Sequence, residues 1–295
     1  MGKRLIPKGP HRWIHRFSVP TRPTVLLAAV KSQNLFVQSL PEVTEIVLRD
    51  MALSARMLQA ANTLLPECSR KVESIECALA LLGQDRVREV THELFLSAEI
   101  TRRESGMQKM RTKGVRAARV VAWLSGALPP ISPPLQSGNL PVVPYDEAYV
   151  AGLFHDCGQL VLLKNCPEYA ELLTAERSET GQTLEEMEEA CCQITHAQLG
   201  ALLCDAWQLP KSLVYLVEAH HRPDAFAGRP VRERKYAVLH AMLALTDWIE
   251  GELPEWEWAR HRQQVQQLFA LDDAALTLLG QRGRLYAASL GTPTD

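Results

Sequence analysis

The sequence predicts an all-α protein. Apolar residues recur at three- and four-residue intervals along most of the chain, and strand-like alternation of useful length is absent. The helical stretches are also punctuated by capping residues, glycines and prolines at their ends. Leu128 to Pro144 holds six prolines and cannot be helix interior, so it divides the helices into two lobes. A chain of 295 residues with 46% hydrophobic content can bury about 75% of its unfolded surface.

Residues 1–22 carry six Lys or Arg and no acid, and read as a flexible basic arm. The N-terminal lobe is expected over residues 23–127. Ser39 reads as an N-cap with Pro41 and Glu42 in the first turn, and Val43, Ile46 and Val47 as the buried side. Asp50 caps the next helix, with Leu53, Met57, Ala60 and Leu64 inward and Pro66 closing it. Ser74 opens another, whose core side is Ile75, Ala78, Leu79 and Leu82 and whose stop is Gly83. Arg102 to Arg119 has seven Lys or Arg against one acid, and reads as the solvated face of a helix that buries Ala117, Val120, Val121 and Leu124.

After a connector over 128–145, the second lobe spans 146–290. Asp146 is the expected cap of a helix running through Tyr149 to Leu163, with Val150, Leu153, Cys157 and Leu160 as its stripe and Gly158 marking a kink or end. Eight glutamates against one arginine between Glu168 and Glu189 read as a solvated acidic face rather than as ligands. Thr195-His196-Ala197-Gln198 is a capping box, with Leu199, Leu203 and Ala206 inward and Gly200 admitting a neighbouring backbone. Leu209-Pro210 starts a helix that finishes at His220-His221. Tyr236 to Glu250 buries Val238, Met242, Leu245 and Ile249 with Asp247 on an adjacent face, and Arg260 to Leu290 makes two further helices around Asp272.

A net charge of −2 and a pI near 6.5 argue against a chain built as a whole to coat nucleic acid or anionic lipid. No apolar run approaches the roughly 18 residues of a membrane span, and the N-terminus lacks a signal-peptide core, so no membrane partner and a cytoplasmic location are expected. The seven cysteines form no C-x-x-C pair and read as small hydrophobes in helical patterns. Cys191 and Cys192 are not expected to share a site, because successive helical residues face different ways.

His155 and Asp156 sit inside the most apolar helical run. Leaving either buried without a partner would cost roughly 2 kcal/mol or more, so the run implies a polar cluster drawn from elsewhere in the chain. Five of the nine histidines fall between His155 and His240. Imidazoles and carboxylates delivered by several helices are what a divalent metal site requires, since no single helix can surround an ion. The candidates are His155, Asp156, His196, His220, His221 and Asp247. Taken singly each has an ordinary reading: His196 as a first-turn residue, His220 and His221 as cations favoured at a helix C-terminus, Asp247 as their buried partner.

In order, Gly152-Leu153-Phe154-His155-Asp156-Cys157-Gly158-Gln159-Leu160, Thr195-His196-Ala197-Gln198-Leu199-Gly200, Trp207-Gln208-Leu209-Pro210 and Ala219-His220-His221-Arg222-Pro223 closely resemble the HDOD domain, a bacterial relative of the HD and HD-GYP phosphohydrolases. Ser39 to Val43, the Leu53 to Asn62 helix and Ala78 to Gly83 are similar to that family's opening helices, so the resemblance covers roughly residues 25–250. It implies an all-α, two-lobed helical bundle with an HD-like C-terminal lobe, the lobes together making one domain. It also implies a non-catalytic signal-transduction role through contacts with a signalling protein. The same resemblance places His155, Asp156, His196, His220, His221 and Asp247 where catalytic relatives hold metal, with His155, Asp156 and Asp247 as three donors that could still bind one ion. Two positions depart from the catalytic pattern. No histidine lies between Glu93 and Phe154, where Thr112 takes the offset of the missing ligand, and Gln159 stands where a lysine follows the His-Asp pair. The Gly-Tyr-Pro signature is missing too. The expectation is a protein that is not an enzyme and needs no cofactor. The alternative is a phosphohydrolase using Mn, Fe, Ni or Zn on a nucleotide or cyclic dinucleotide. Nucleic-acid binding through the basic arm is a third, lesser reading.

Overall fold

The computed structural model describes residues 40–66, 71–97, 105–128, 142–174, 181–226 and 234–291. The basic arm of residues 1–22, the Ser39 cap and most of the 128–145 connector lie outside them. Among the described residues there are thirteen α-helices and no strand, as the periodicity predicts.

The first helices are α1 (Leu40–Leu48), α2 (Met51–Thr63) and α3 (Ile75–Ser97). Asp50 caps α2 by accepting from the Leu53 amide at 2.9 Å, and the Ser74 hydroxyl accepts from the Cys77 amide at the start of α3. Gly83 stops the first part of α3 as expected: its φ of +68° lies in the left-handed region, and a second helical part resumes directly beyond it. Helix α4 (Ser105–Ala127) packs along α5 (Tyr145–Phe154), with Val120, Val121, Ala122 and Leu124 fully buried. Gly152 lets the two approach, since a Cβ there would lie 2.7 Å from Ala118 Cα.

The run through His155 is not one helix. It stops at Phe154, turns through His155 and Asp156, and restarts as α6 (Cys157–Asn165). Asp156 departs from helical geometry at φ −100°, ψ 10°, which turns both polar side chains out of the apolar stripe. The expected Asp146 cap is also displaced. Pro144 occupies that position, while Asp146 accepts from the Glu147 amide and the Ser74 hydroxyl.

Short α7 (Tyr169–Leu172) and α8 (Leu184–Cys192) lead to α9 (His196–Ala206), whose capping box is present with both Thr195–Gln198 bonds at 3.2 Å. Helix α9 packs on α6 and on α10 (Lys211–Ala219), and α11 (Arg234–Glu250) packs on α4, α12 (Glu255–Phe269) and α13 (Asp273–Ser289). One apolar core runs from Val47 through to Ala287. Glu73 adds a polar tie between the two halves, bonding Lys235, Tyr236 and Ser212. Among the described residues no helix is long and apolar enough to cross a membrane.

Candidate functional site

The turn at His155-Asp156 faces the N-terminus of α9, the C-terminal end of α10 and the last turn of α11. Gly158 permits this approach: a Cβ there would stand 2.0 Å from the His196 carbonyl oxygen and 2.7 Å from the Gly200 nitrogen. Three helix junctions thus deliver imidazoles to one carboxylate. Asp156 Oδ1 lies 3.3 Å from His196 Nε2 and 3.6 Å from His220 Nε2, while His196 Nε2 is 3.0 Å from His221 Nε2 and 3.3 Å from His220 Nε2. His155 Nε2 points between Asp247 Oδ1 at 3.5 Å and Asp156 Oδ2 at 3.6 Å, too far for a good hydrogen bond, and is a buried nitrogen left without one. The six sequence candidates therefore stand around one small volume. Asp247 approaches through His155 and not through the other imidazoles.

Ring orientation is fixed from behind. His155 Nδ1 and His220 Nδ1 lie 2.8 and 2.7 Å from the carbonyls of Gly152 and Val217, each one helical turn earlier. A carbonyl only accepts, so Nδ1 carries a proton and Nε2 is the nitrogen turned to the cluster. His196 Nδ1 is held instead by both oxygens of Glu188, at 2.7 and 2.9 Å, and Glu188 also accepts from the His196 amide and from the Tyr169 hydroxyl at 2.6 Å. The acidic stretch is therefore not wholly a solvated face. Leu184, Glu188 and Cys192 are the buried residues of α8, a four-residue spacing that puts Glu188 in the middle of an apolar stripe, and this was the available signal.

The second residue missing from the sequence reading is Lys113. The basic stretch was expected to be solvated, yet Lys113 Nζ lies 3.2 Å from Asp156 Oδ2 and 3.1 Å from Glu252 Oε2, and Arg116 Nε turns in to Glu250 at 2.6 Å. Thr112, beside it, is half-buried. Gln159 is buried and its side-chain oxygen has no hydrogen-bond partner.

Burial opposes charge on Lys113, but Asp156, Glu252 and Asp247 outweigh it and keep the ammonium charged well above neutrality. Burial likewise works against ionised Asp156, and Lys113 with His155 overcomes it, holding the carboxyl well below its usual range. His196 is lifted to about 10 because Glu188 and Asp156 outweigh its desolvation. His221 is pushed down by burial and by His220 and His196.

The donor set fits a divalent ion. Asp156, His196, His220 and His221 each offer a ligand atom within 4.8 Å of the others, and the Glu188–His196 pair has the carboxylate–imidazole form that supports metal ligands. A metal there would supply a Lewis acid. Lys113 already neutralises the other face of Asp156.

In the metal-free protein these shifts set a pH profile with two limbs. His196 is raised, so its contribution is complete below the unfolded value near 6.5 and is lost as pH rises towards 10. His240 and His261, buried beside each other and within the field of His220, are both lowered to about 4, largely by burial. Their contribution is present above 6.5 and lost as pH falls to 4, on the order of 2 to 3 kcal/mol each. Urea unfolding in chelator is expected to show maximal stability near pH 6.5, and His240→Leu to flatten the acid limb. An unchanged acid limb in that variant would show that His240 does not drive it.

The HDOD domain family model matches residues 19–223. The chain is 20% identical over 241 residues to an uncharacterized protein of Treponema pallidum (strain Nichols), covering 80% of this chain but 44% of that one. Among solved structures it is similar to the MmoQ response regulator of Methylococcus capsulatus str. Bath, with a TM-score of 0.60 and 21% identity over 90% of this chain and 98% of that one. It is also similar to a virulence factor of Campylobacter jejuni (cj0248), with a TM-score of 0.61 and 17% identity over 95% of this chain and 100% of that one. These likenesses are of fold. The family match spans both the α1–α3 helices and the histidine-bearing junctions up to Pro223, and with it the order of motifs and the geometry of the cluster agree: the chain belongs to the HDOD domain family.

Proposed function

We propose that this protein is a non-catalytic HDOD signal-transduction module that works through contacts with a signalling partner protein. The observation that carries the reading is Lys113. A hydrolytic centre needs an ion in an open but complete shell, a lowered pKa on its bound water, and positive charge aimed at the phosphate. Here the resident positive charge on Asp156 Oδ2 is an ammonium shared with Glu252, directed at carboxylates. The residue after Asp-x-Gly, where a lysine would face a phosphate, is the neutral Gln159. Losing one such transition-state stabiliser costs about 3 kcal/mol, roughly a hundredfold in rate. The response-regulator name of the M. capsulatus relative supports a signalling role.

A metal-dependent phosphohydrolase is the second reading, favoured by the Asp156, His196, His220 and His221 donors. Metal content is measured first. Cyclic dinucleotides, nucleotides and an aryl phosphodiester are then assayed with Mn, Fe and Ni, with His155→Ala as control. The expected result is no turnover above background. Turnover above about 1 per second, abolished in His155→Ala, would replace the proposal with the phosphohydrolase.

A further inference from the structure

A second cluster of metal-ligating side chains lies behind Glu188, built from thiols. Cys166 Sγ is 2.8 Å from Cys192 Sγ and 3.9 Å from Cys191 Sγ, and all three sulfurs fall within 4.8 Å of one another. Cys191 and Cys192 end α8, and although successive helical residues diverge, Cys166 in the extended segment after α6 meets both. Glu168 Oε2 stands 3.7 Å from Cys166 Sγ. From the three converging thiols we infer that Cys166, Cys191 and Cys192 form a structural zinc site separate from the histidine cluster, with Glu168, which stands against Cys166 but outside that converging group, as an exposed carboxylate available to the fourth position.

Two observations favour a thiophilic divalent ion over a disulfide. A disulfide uses two sulfurs, whereas three converge here. Zinc–thiolate bonds of about 2.3 Å put tetrahedral neighbours about 3.8 Å apart; the Cys166–Cys191 separation of 3.9 Å already matches. The Cys166–Cys192 pair need open by only about 1 Å, a shift for side-chain rotation to supply, since Cys166 is the C-cap of α6 with its amide on the Leu162 carbonyl. The carboxylate suits zinc, which accepts mixed sulfur and oxygen donors, better than a soft monovalent ion.

The site has a structural consequence. Tyr169, whose amide bonds the Cys166 carbonyl, and Cys192, one turn beyond Glu188, flank the contact that orients His196. An ion on the thiols therefore braces the segments that hold Glu188 in place.

The test uses the full chain, reduced and stripped of metal, titrated with Co2+ and then Zn2+. Thiolate ligation gives a near-ultraviolet sulfur-to-cobalt charge-transfer band that imidazole and carboxylate ligands do not. The band is expected in the wild type, with release of thiol protons, and zinc should abolish it. It should be lost in Cys166→Ser and in Cys191→Ser, the latter at a half-buried position, and retained in His221→Ala, which alters only the histidine cluster. Absence of the band in reduced wild type, its survival in Cys166→Ser, or a Cys166–Cys192 disulfide in anaerobically purified protein would each overturn the assignment.

Discussion

Asp156→Ala is expected to destabilise the metal-free protein by about 3 to 5 kcal/mol, the range for removing one partner of a buried ion pair. The carboxylate is the single anion on which Lys113 and three imidazoles converge. Without it the Lys113 ammonium keeps an ion pair with the partly exposed Glu252 and the more distant charge of Asp247, and His196 keeps its pairing with Glu188. Lys113→Met in the Asp156→Ala background should recover part of the loss, because the stranded cation is then gone, giving a coupling of at least about 1 kcal/mol in the double-mutant cycle. Urea unfolding in chelator measures both. A loss near 0.5 kcal/mol for Asp156→Ala, the size of an ordinary surface change, would mean that the carboxylate does not tie the helices together.

Gly158→Ala is expected to cost about 3 kcal/mol or more, at the upper end for overpacking, although it adds one methyl group. The new carbon would meet backbone at 2.0 Å, the His196 carbonyl, and the Gly200 nitrogen at 2.7 Å, so no side-chain rotation relieves it and α9 must move. That motion carries His196 away from Asp156, so the histidine cluster should loosen along with the fold. Gly114→Ala is the control within the same core: its nearest neighbour would be the flexible Met51 side chain at 3.6 Å. Thermal unfolding should place Gly158→Ala several degrees below wild type and Gly114→Ala close to it. Equal midpoints would refute the close α6–α9 crossing.

The two expectations differ in how much of them was visible in the chain. Helix class and several caps were legible because period and cap chemistry are local: Asp50, Ser74 and Thr195 cap the helices they precede. The order of the histidine motifs marked where a cluster would form. Boundaries inside the apolar run were not legible, since Val150, Leu153, Cys157 and Leu160 keep helical spacing across a turn that the periodicity does not register. Lys113 and Glu188 were misread for a different reason. Each lies in a stretch dominated by one sign of charge, and which member of such a stretch turns inward depends on a partner far along the chain: Asp156 and Glu252 for Lys113, His196 for Glu188. For Glu188 the four-residue register with Leu184 and Cys192 held the answer, but composition outweighed register.

The placement of Lys113 also bears on how the chain reaches its native state during synthesis. Helix α4 leaves the ribosome with a lysine destined for the interior and no acid yet made to receive it. Asp156 follows only after the proline-rich segment, and Glu252 later still, beyond α11. The helices that α4 packs against, α5, α6, α11 and α13, also follow it in the chain, so the lysine stays solvated until its cover and its acids arrive together.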